Sequence, residues 1–499
     1  MTGETLILLA LIVPFAGAVL ISLAGWNPNL RESVTLGTAA ILFAIVVTLA
    51  GGVFDGARPA WEGFQVLPGL QVAFEIEPLG MLFACVASGL WIVNSIYSIG
   101  YMRSNNEPRQ TPFYVCFAVA LGSTIGIAFA ANLFTLFLFY EVLTLSTYPL
   151  VTHKADQAAI RGGRIYLMIL LGTSMVLLLP AIVGTAVIAG TLDFVPGGIL
   201  AGKASDTVVA LLLALYVFGI GKAALMPFHW WLPAAMVAPT PVSALLHAVA
   251  VVKAGVFSVT KVVIYVFGTD LLTRTGASDW LVFFASFCLL AASLVALTRD
   301  NLKARLAYST VSQLAYVVLA AALANSAGLI GGGMHIAMHA AGKITLFFCA
   351  GAIYVAAHKT EVSDLDGIGR VMPVTLFAFL IGSLSIIGLP PFGGTWSKWY
   401  IAMGAVDSGH MFVLAVLAAS SLLNIAYLIP IVVRGYFRPL PGTAPGARVR
   451  VHEAPFPCLV ALCLTAALCV VLFFQAGSIE HLLAEIFAKP TSIAAGGAS

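Results

Sequence analysis

Charge is scarce in this sequence. Only 9% of its 499 residues are Asp, Glu, Lys or Arg, and 61% are hydrophobic. Soluble domains carry about 25% charged residues, so this composition excludes a soluble globular protein and fits a polytopic membrane protein. The net charge of +3 is too small to draw the chain to nucleic acid. Cysteine is sparse too. The seven (Cys85, Cys116, Cys288, Cys349, Cys458, Cys463 and Cys469) are odd in number, mostly inside apolar runs, and show neither metal-ligand spacing nor a disulfide framework. No set of them suits an iron–sulfur cluster. A glycine-rich phosphate-binding turn between strand and helix is also missing. No metal or other cofactor is therefore expected on this chain, and no redox chemistry of its own; any such activity would belong to partners. Basic residues are absent ahead of the first apolar run, which follows Glu4. A cleavable signal peptide needs a positive start, so residues 5–25 read as a retained span.

Long apolar runs are what the sequence has in abundance. At about 20 residues per crossing, it reads as an all-α polytopic protein with about fourteen transmembrane helices: 5–25, 33–54, 78–101, 112–131, 133–152, 162–190, 207–226, 240–267, 278–298, 305–325, 329–357, 372–403, 411–436 and 455–475. Residues 55–77, polar and mixed around Trp61 and Phe64, read as an extracytoplasmic loop. A short amphipathic tail, Ile479 to Phe487, suits the membrane surface.

Basic residues concentrate on one side of this count. Loops after odd-numbered spans carry Arg31, Arg103, Arg109, Lys154, Arg161, Arg164, Arg299, Lys303, Arg305, Lys359, Arg370, Arg434, Arg438, Arg448 and Arg450, fifteen of the twenty-four. Loops after even-numbered spans carry Arg58, Lys203 and Arg274, and the tail has Lys489. By the positive-inside rule both termini lie on the outer side. The basic loop around Lys303 reads as an anchor at the lipid surface.

Five lysines remain, all within apolar spans: Lys222, Lys253, Lys261, Lys343 and Lys398. Of the acids only Glu141 sits deep in a span, while Glu75, Glu77 and Asp407 fall near span ends. A lysine at the centre of a membrane helix costs about 3 kcal/mol on insertion scales, so such residues mark function. Burial lowers a lysine's proton affinity and a nearby carboxylate restores it. Glu141 and Lys222 thus read as a coupled pair, with Lys253 as the next station of a proton relay; a static ion pair joining two helices is the structural alternative. Lys261 can reach the interface by snorkelling.

The stretch from Gly219 to Lys261 holds Lys222 and Lys253, four prolines (Pro227, Pro233, Pro239, Pro241), and His229 and His247 as supporting candidates. In the eleventh span His335, His339 and Lys343 stand at i, i+4 and i+8, close to one helix face and about 6 Å apart per turn. Histidine titrates near neutrality, so this row suits proton hopping. Core histidines bonded to helix carbonyls are the alternative. Zinc is not expected, because no third ligand is nearby. In the twelfth span Pro390-Pro391 and Gly393-Gly394 must break the helix just before Lys398, as Pro227 follows Lys222 in the seventh. Broken helices in corresponding places point to an inverted-repeat transporter.

The run GKAALMPFHWWLPAAMVAPTPVSALLHA resembles the signature of the antiporter-like subunits of respiratory complex I, of Mrp-type cation/proton antiporters and of related membrane-bound hydrogenases. HIAMHAAGK, GLPPFGGTWSKW and Glu141 extend the match from about residue 110 to 405. The resemblance implies two inverted five-helix repeats (residues 111–270 and 275–437) with broken helices 7 and 12, preceded by helices 1–3 (1–110) and followed by helix 14 and its tail (438–499). It also implies a proton path in the membrane plane through Glu141, Lys222, Lys253, His335, His339, Lys343 and Lys398. Length and the GGTWSKW turn look most like the D-type subunits of the Mrp antiporters.

Three functions compete. The first is the proton-translocating subunit of a multisubunit Na+/H+ antiporter in a bacterial inner membrane, with other membrane subunits as partners and protons and Na+ as cargo. The second is the proton-pumping subunit of an NADH-quinone oxidoreductase or hydrogenase. The third is a stand-alone transporter of a small solute, with the lysines as anion ligands. Lysines spread over several spans suit a relay better than one compact pocket.

Overall fold

The computed structural model describes residues 2–67, 69–442 and 450–487; Arg448 and Lys489 lie outside them. Each of the fourteen expected spans coincides with helix. They are α1 (Gly3–Leu23), α2 (Pro28–Phe54), α3 (Pro78–Ser104), α4 (Gln110–Ala128), α5 (Leu133–Val151), α6 (Gln157–Ala189), α7 (Asp206–Gly219), α8 (Thr240–Phe267), α9 (Asp279–Thr298), α10 (Leu302–Ala322), α11 (Ser326–Ala357), α12 (Pro373–Ile387) with its continuation α13 (Gly394–Asp407), α14 (Phe412–Phe437) and α15 (Phe456–Phe474). The amphipathic tail forms α16 (Ala476–Ala484).

Among the described residues, eleven of these helices are long and apolar enough to cross a membrane unaided. Two of the remaining three spans are those that prolines and glycines interrupt, at α7 and at α12–α13. The third, α10, has 21 residues but carries Ser309, Ser312, Gln313 and Tyr316 on its buried surface. Several helices start at polar caps that satisfy their first free N–H groups: Glu77 for α3, Asn132 for α5, Asp156 for α6, Asn301 for α10 and Asn325 for α11.

Two helices form the centre. Every residue of α8 is buried, and α11 is buried from Gly328 to Ile353. Protein surrounds both on all sides, so their lysines and histidines face neighbouring helices and not lipid. Small residues allow the close approach. A Cβ on Gly255 of α8 would run into the backbone of Lys222 and Ala223, so α8 leans directly on the chain that follows α7.

The segment read as a mixed loop is instead an antiparallel hairpin, Ala60–Leu67 with Leu70–Glu75. Its alternation is legible only in the second strand, where Val72 and Phe74 point inward. Phe74 packs on Phe139 of α5 with ring centroids 5.6 Å apart. The hairpin joins the α4–α5 turn through Glu75 N–H to Phe129 C=O (2.8 Å) and Ala131 N–H to Ala73 C=O (3.1 Å).

The loops segregate into two faces. On one, Arg109 donates to His153 C=O (2.5 Å), Lys303 to Ala238 C=O (2.6 Å), Asn301 to Glu361 (2.9 Å) and Arg434 to Asp366 (2.7 Å). These contacts tie the connection after span three to that after span five, and those after spans seven, nine, eleven and thirteen to one another. On the other face the hairpin end meets the tail, where Arg58 pairs with Glu485 at 2.7 Å.

Candidate functional site

The first lysine is displayed by a helix that stops early. α7 ends at Gly219, and Gly221–Ala223 continues as one tight turn. Lys222 is wholly buried there. Its Nζ donates to Tyr140 C=O (2.8 Å) and Thr144 Oγ1 (2.5 Å) and lies 3.1 Å from the centroid of the Tyr140 ring. Trp231 Nε1–H closes the turn by donating to Gly221 C=O at 3.0 Å.

Glu141 is the next residue of α5, but it forms no ion pair with Lys222 within 4.0 Å, and both its carboxylate oxygens are buried without a hydrogen-bond partner. The ammonium group goes instead to the Tyr140 carbonyl and to the Thr144 hydroxyl, which stands three residues from Glu141, about 60° around α5. Glu141 thus stands beside the place where Lys222 docks on α5, with Tyr140 and Thr144 taking the ammonium group.

From α8, Lys253 reaches His339 of α11, with Nζ and Nδ1 2.6 Å apart. His339 and His335 are stacked at 5.7 Å between centroids, the spacing expected of i and i+4. His335 Nδ1 lies 2.9 Å from Ser397 Oγ, and its ring stacks on Tyr316 of α10 at 5.3 Å. Lys398, next to Ser397, has its Nζ 4.9 Å from the centroid of that same Tyr316 ring. It donates to Ile386 C=O (3.0 Å), Ile387 C=O (2.8 Å) and Ser421 Oγ (3.2 Å). The two carbonyls are free because the proline-glycine break removes the N–H groups that would have bonded them. Lys253, His339, His335 and Ser397 thus form a buried row of hydrogen bonds and stacked rings, and half-buried Lys398 adjoins its end across the Tyr316 ring.

Lys343 leaves that row. Its Nζ donates to Ser309 Oγ of α10 at 2.6 Å, and Ser309 meets Tyr427 OH of α14 at 2.6 Å. Lys343 follows His339 by the same four residues that separate His335 from His339, so it is the bond to Ser309, and not its place on the helix, that draws its ammonium group out of the row. His229 packs against Tyr308, 6.0 Å between rings, away from the row. His247 is buried on α8 against Phe347 (4.5 Å), and neither ring nitrogen has a hydrogen-bond partner. Among the described residues, no three His, Cys, Asp or Glu side chains come together as metal ligands do.

Lys261 does not snorkel. It is 1% exposed, donates to Ala130 C=O at 2.7 Å and pairs with Glu77 at 3.4 Å. Glu77 is buried as well, so Glu141 is not the lone interior carboxylate. Sequence position near a span end suggested water for both residues; the α4–α5 turn folds over them and supplies a carbonyl instead. Tyr140, Thr144, Ser309, Tyr316 and Ser397 also escaped the sequence reading. The visible signal was the polar spacing in α10, Ser309, Ser312/Gln313 and Tyr316, one turn apart in an otherwise apolar run.

Comparison with known proteins agrees with this architecture. Residues 130–424 match the family described as NADH:quinone oxidoreductase/Mrp antiporter, TM. NADH-quinone oxidoreductase subunit N of Desulforudis audaxviator is 31% identical over 457 residues, covering 91% of this chain and 89% of that one. The A-type subunit of the Na(+)/H(+) antiporter of Alkalihalophilus pseudofirmus is 28% identical over 88% of this chain, and the match spans 56% of its own length. The chain likewise spans about half the length of two cyanobacterial relatives, NAD(P)H-quinone oxidoreductase chain 5 of Synechocystis (49%) and of Picosynechococcus (50%). A chain of the Mrp complex from Dietzia superposes with a TM-score of 0.84 over 97% of both chains at 20% identity, which shows a shared fold. The chain is an antiporter-like subunit of multi-pass membrane type; it belongs to the NADH:quinone oxidoreductase/Mrp antiporter family.

Proposed function

We propose that this chain is the proton-translocating subunit of a multisubunit Na+/H+ antiporter and that Glu141, Lys222, Lys253, His339, His335 and Lys398 carry the protons, with Lys343, His247 and His229 in supporting positions. The row from Lys253 to Lys398 is the observation that carries this reading. A buried lysine that donates only to carbonyls and hydroxyls is poorly compensated, so it exchanges its proton readily. A histidine accepts at one nitrogen and releases at the other. Glu141 beside the Lys222 site favours the protonated lysine when ionised and releases it when neutral. Two inverted repeats, residues 111–270 and 275–437, would place the α7 and α12–α13 breaks in equivalent positions. Both termini would face outward from a bacterial inner membrane, with the basic-loop face inside. The partners would be further membrane subunits, in keeping with the assemblies named for the relatives.

The extent of the match to the Desulforudis oxidoreductase chain favours a second reading, in which a redox partner drives proton pumping along the same path. Purification of the native complex from membranes, with its partners identified by mass spectrometry, separates the two. Small hydrophobic subunits alone are expected; iron–sulfur, flavin or nickel subunits would establish the second reading. A chain that purifies alone and still transports would overturn both and favour a solute carrier.

A further inference from the structure

Outside the row, one cavity brings titratable groups to the same central helix. It has a volume of about 530 Å³ and lies against α8 on the hairpin face. Its outer wall holds the Arg58–Glu485 pair, with the two side chains 31% and 18% exposed. Its inner wall holds Glu75, Glu77, Lys261 and Tyr265. A polar cavity of this size has room for several waters.

The inner wall is a second buried carboxylate–lysine site. Lys261 Nζ lies 3.4 Å from Glu77 Oε1, and Tyr265 OH donates to Glu77 Oε2 at 3.1 Å. Glu77 also caps α3, accepting from Leu79 N–H (2.8 Å) and Gly80 N–H (2.9 Å), so its carboxylate is held in place by backbone as well as by the lysine. Lys261 and Tyr265 stand one turn apart on α8, and Lys253 lies two turns further in, about 12 Å along the axis. Between them Phe257 packs on Phe83 with centroids 5.0 Å apart and sits 5.5 Å from Lys261 Nζ.

We propose that Glu77 and Lys261 form a proton-exchange site at the inner end of a vestibule on the hairpin face, joined to the relay at Lys253 and gated by Phe257. This rests on the relay reading above. In the exchange the Lys261 ammonium group releases its proton to water in the vestibule and keeps its lone pair. Glu77 retains its negative charge, which draws the next proton onto the amine from Lys253 when Phe257 moves aside. The reverse sequence loads protons from the same face.

The test uses the chain in its native membrane complex, reconstituted in liposomes, with proton flux read by a pH-sensitive dye. Lys261→Arg keeps the ion pair, and arginine does not deprotonate in proteins. Flux is expected to fall at least severalfold with the complex fully assembled; a static tie would leave the rate unchanged. In a second arm, Ala131→Cys on the cavity wall is modified with a charged, membrane-impermeant thiol reagent after the native cysteines are replaced. Blocking is expected to slow flux by a similar factor, from the hairpin side only. Lys222→Met is the control. If it abolishes flux while Lys261→Arg and the blocked cavity leave flux unchanged, the vestibule proposal is overturned alone. If Lys222→Met is itself silent, the relay fails and the vestibule with it.

Discussion

The two helix breaks solve the same problem with different acceptors. At α7, Lys222 leaves its own broken helix and docks on α5, where it takes one carbonyl and one hydroxyl beside an ionisable neighbour, Glu141. At α12–α13, Lys398 folds back onto the end of its own broken helix and takes two freed carbonyls and Ser421. Among the described residues, no carboxylate pairs with Lys398. The first site is therefore set by a second titrating group, and the second by fixed dipoles. In the proposed relay that makes Lys222 a switch and Lys398 a terminal station.

The sharpest way to break this comparison is to remove each charge. Lys222→Met is expected to abolish proton-coupled transport by the assembled complex in everted vesicles, and Glu141→Gln to come close to it, because the switch needs both members. If Glu141→Gln kept the full rate, the two breaks would be equivalent and the comparison would collapse. Thr144→Val comes next. It preserves shape but deletes a hydrogen bond to a charged group, about 1.5–3 kcal/mol, so a roughly tenfold or larger loss of rate is expected. Lys398→Arg should follow with a severalfold loss, since the guanidinium keeps the charge without releasing it. Ser421→Ala leaves both carbonyls in place and should cost no more than about fivefold. A Ser421→Ala effect larger than that of Thr144→Val would mean that hydroxyls, not carbonyls, set the second site.

The smallest effect belongs to the basic-loop face. Burial raises the proton affinity of Glu107, which counts more than Lys154 and Lys303 pulling it down. Burial, and then Arg109, lowers that of His153, 3.9 Å away. Each group thus favours its neutral form. A raised carboxyl adds stability below its unfolded value near pH 4 and loses it as pH rises through the folded value. Glu107→Gln should therefore raise the melting temperature of the complex slightly at pH 8 and leave it unchanged at pH 4. The size is a degree or two at most, because Lys154 and Lys303 offset part of the effect of burial.

Much of the architecture was legible because the bilayer simplifies the code. Fourteen apolar runs, alternating basic loops and two proline-glycine interruptions follow from hydrocarbon thickness and from the cost of unsatisfied backbone. The buried lysines and histidines were equally visible, since each is expensive where it stands. What escaped was contact. Tyr140 and Thr144 look like ordinary helix residues, and nothing local says that an ammonium group lands on them. The hairpin escaped because its first strand does not alternate cleanly.

The sequence by itself determined that this chain is a multi-pass membrane protein built on about fourteen apolar runs, where its helices break and which charges the membrane must tolerate. Those properties are set residue by residue by transfer free energy and backbone geometry. Only the tertiary structure decided that Glu141 stands beside the Lys222 site without touching it, that Lys343 turns away from the histidine row, and that Glu77 and Lys261 meet at a cavity. These depend on helix rotation and on which helices pack together. Rotations of a fraction of a turn, fixed by close contacts such as that at Gly255, choose the partner of each buried charge.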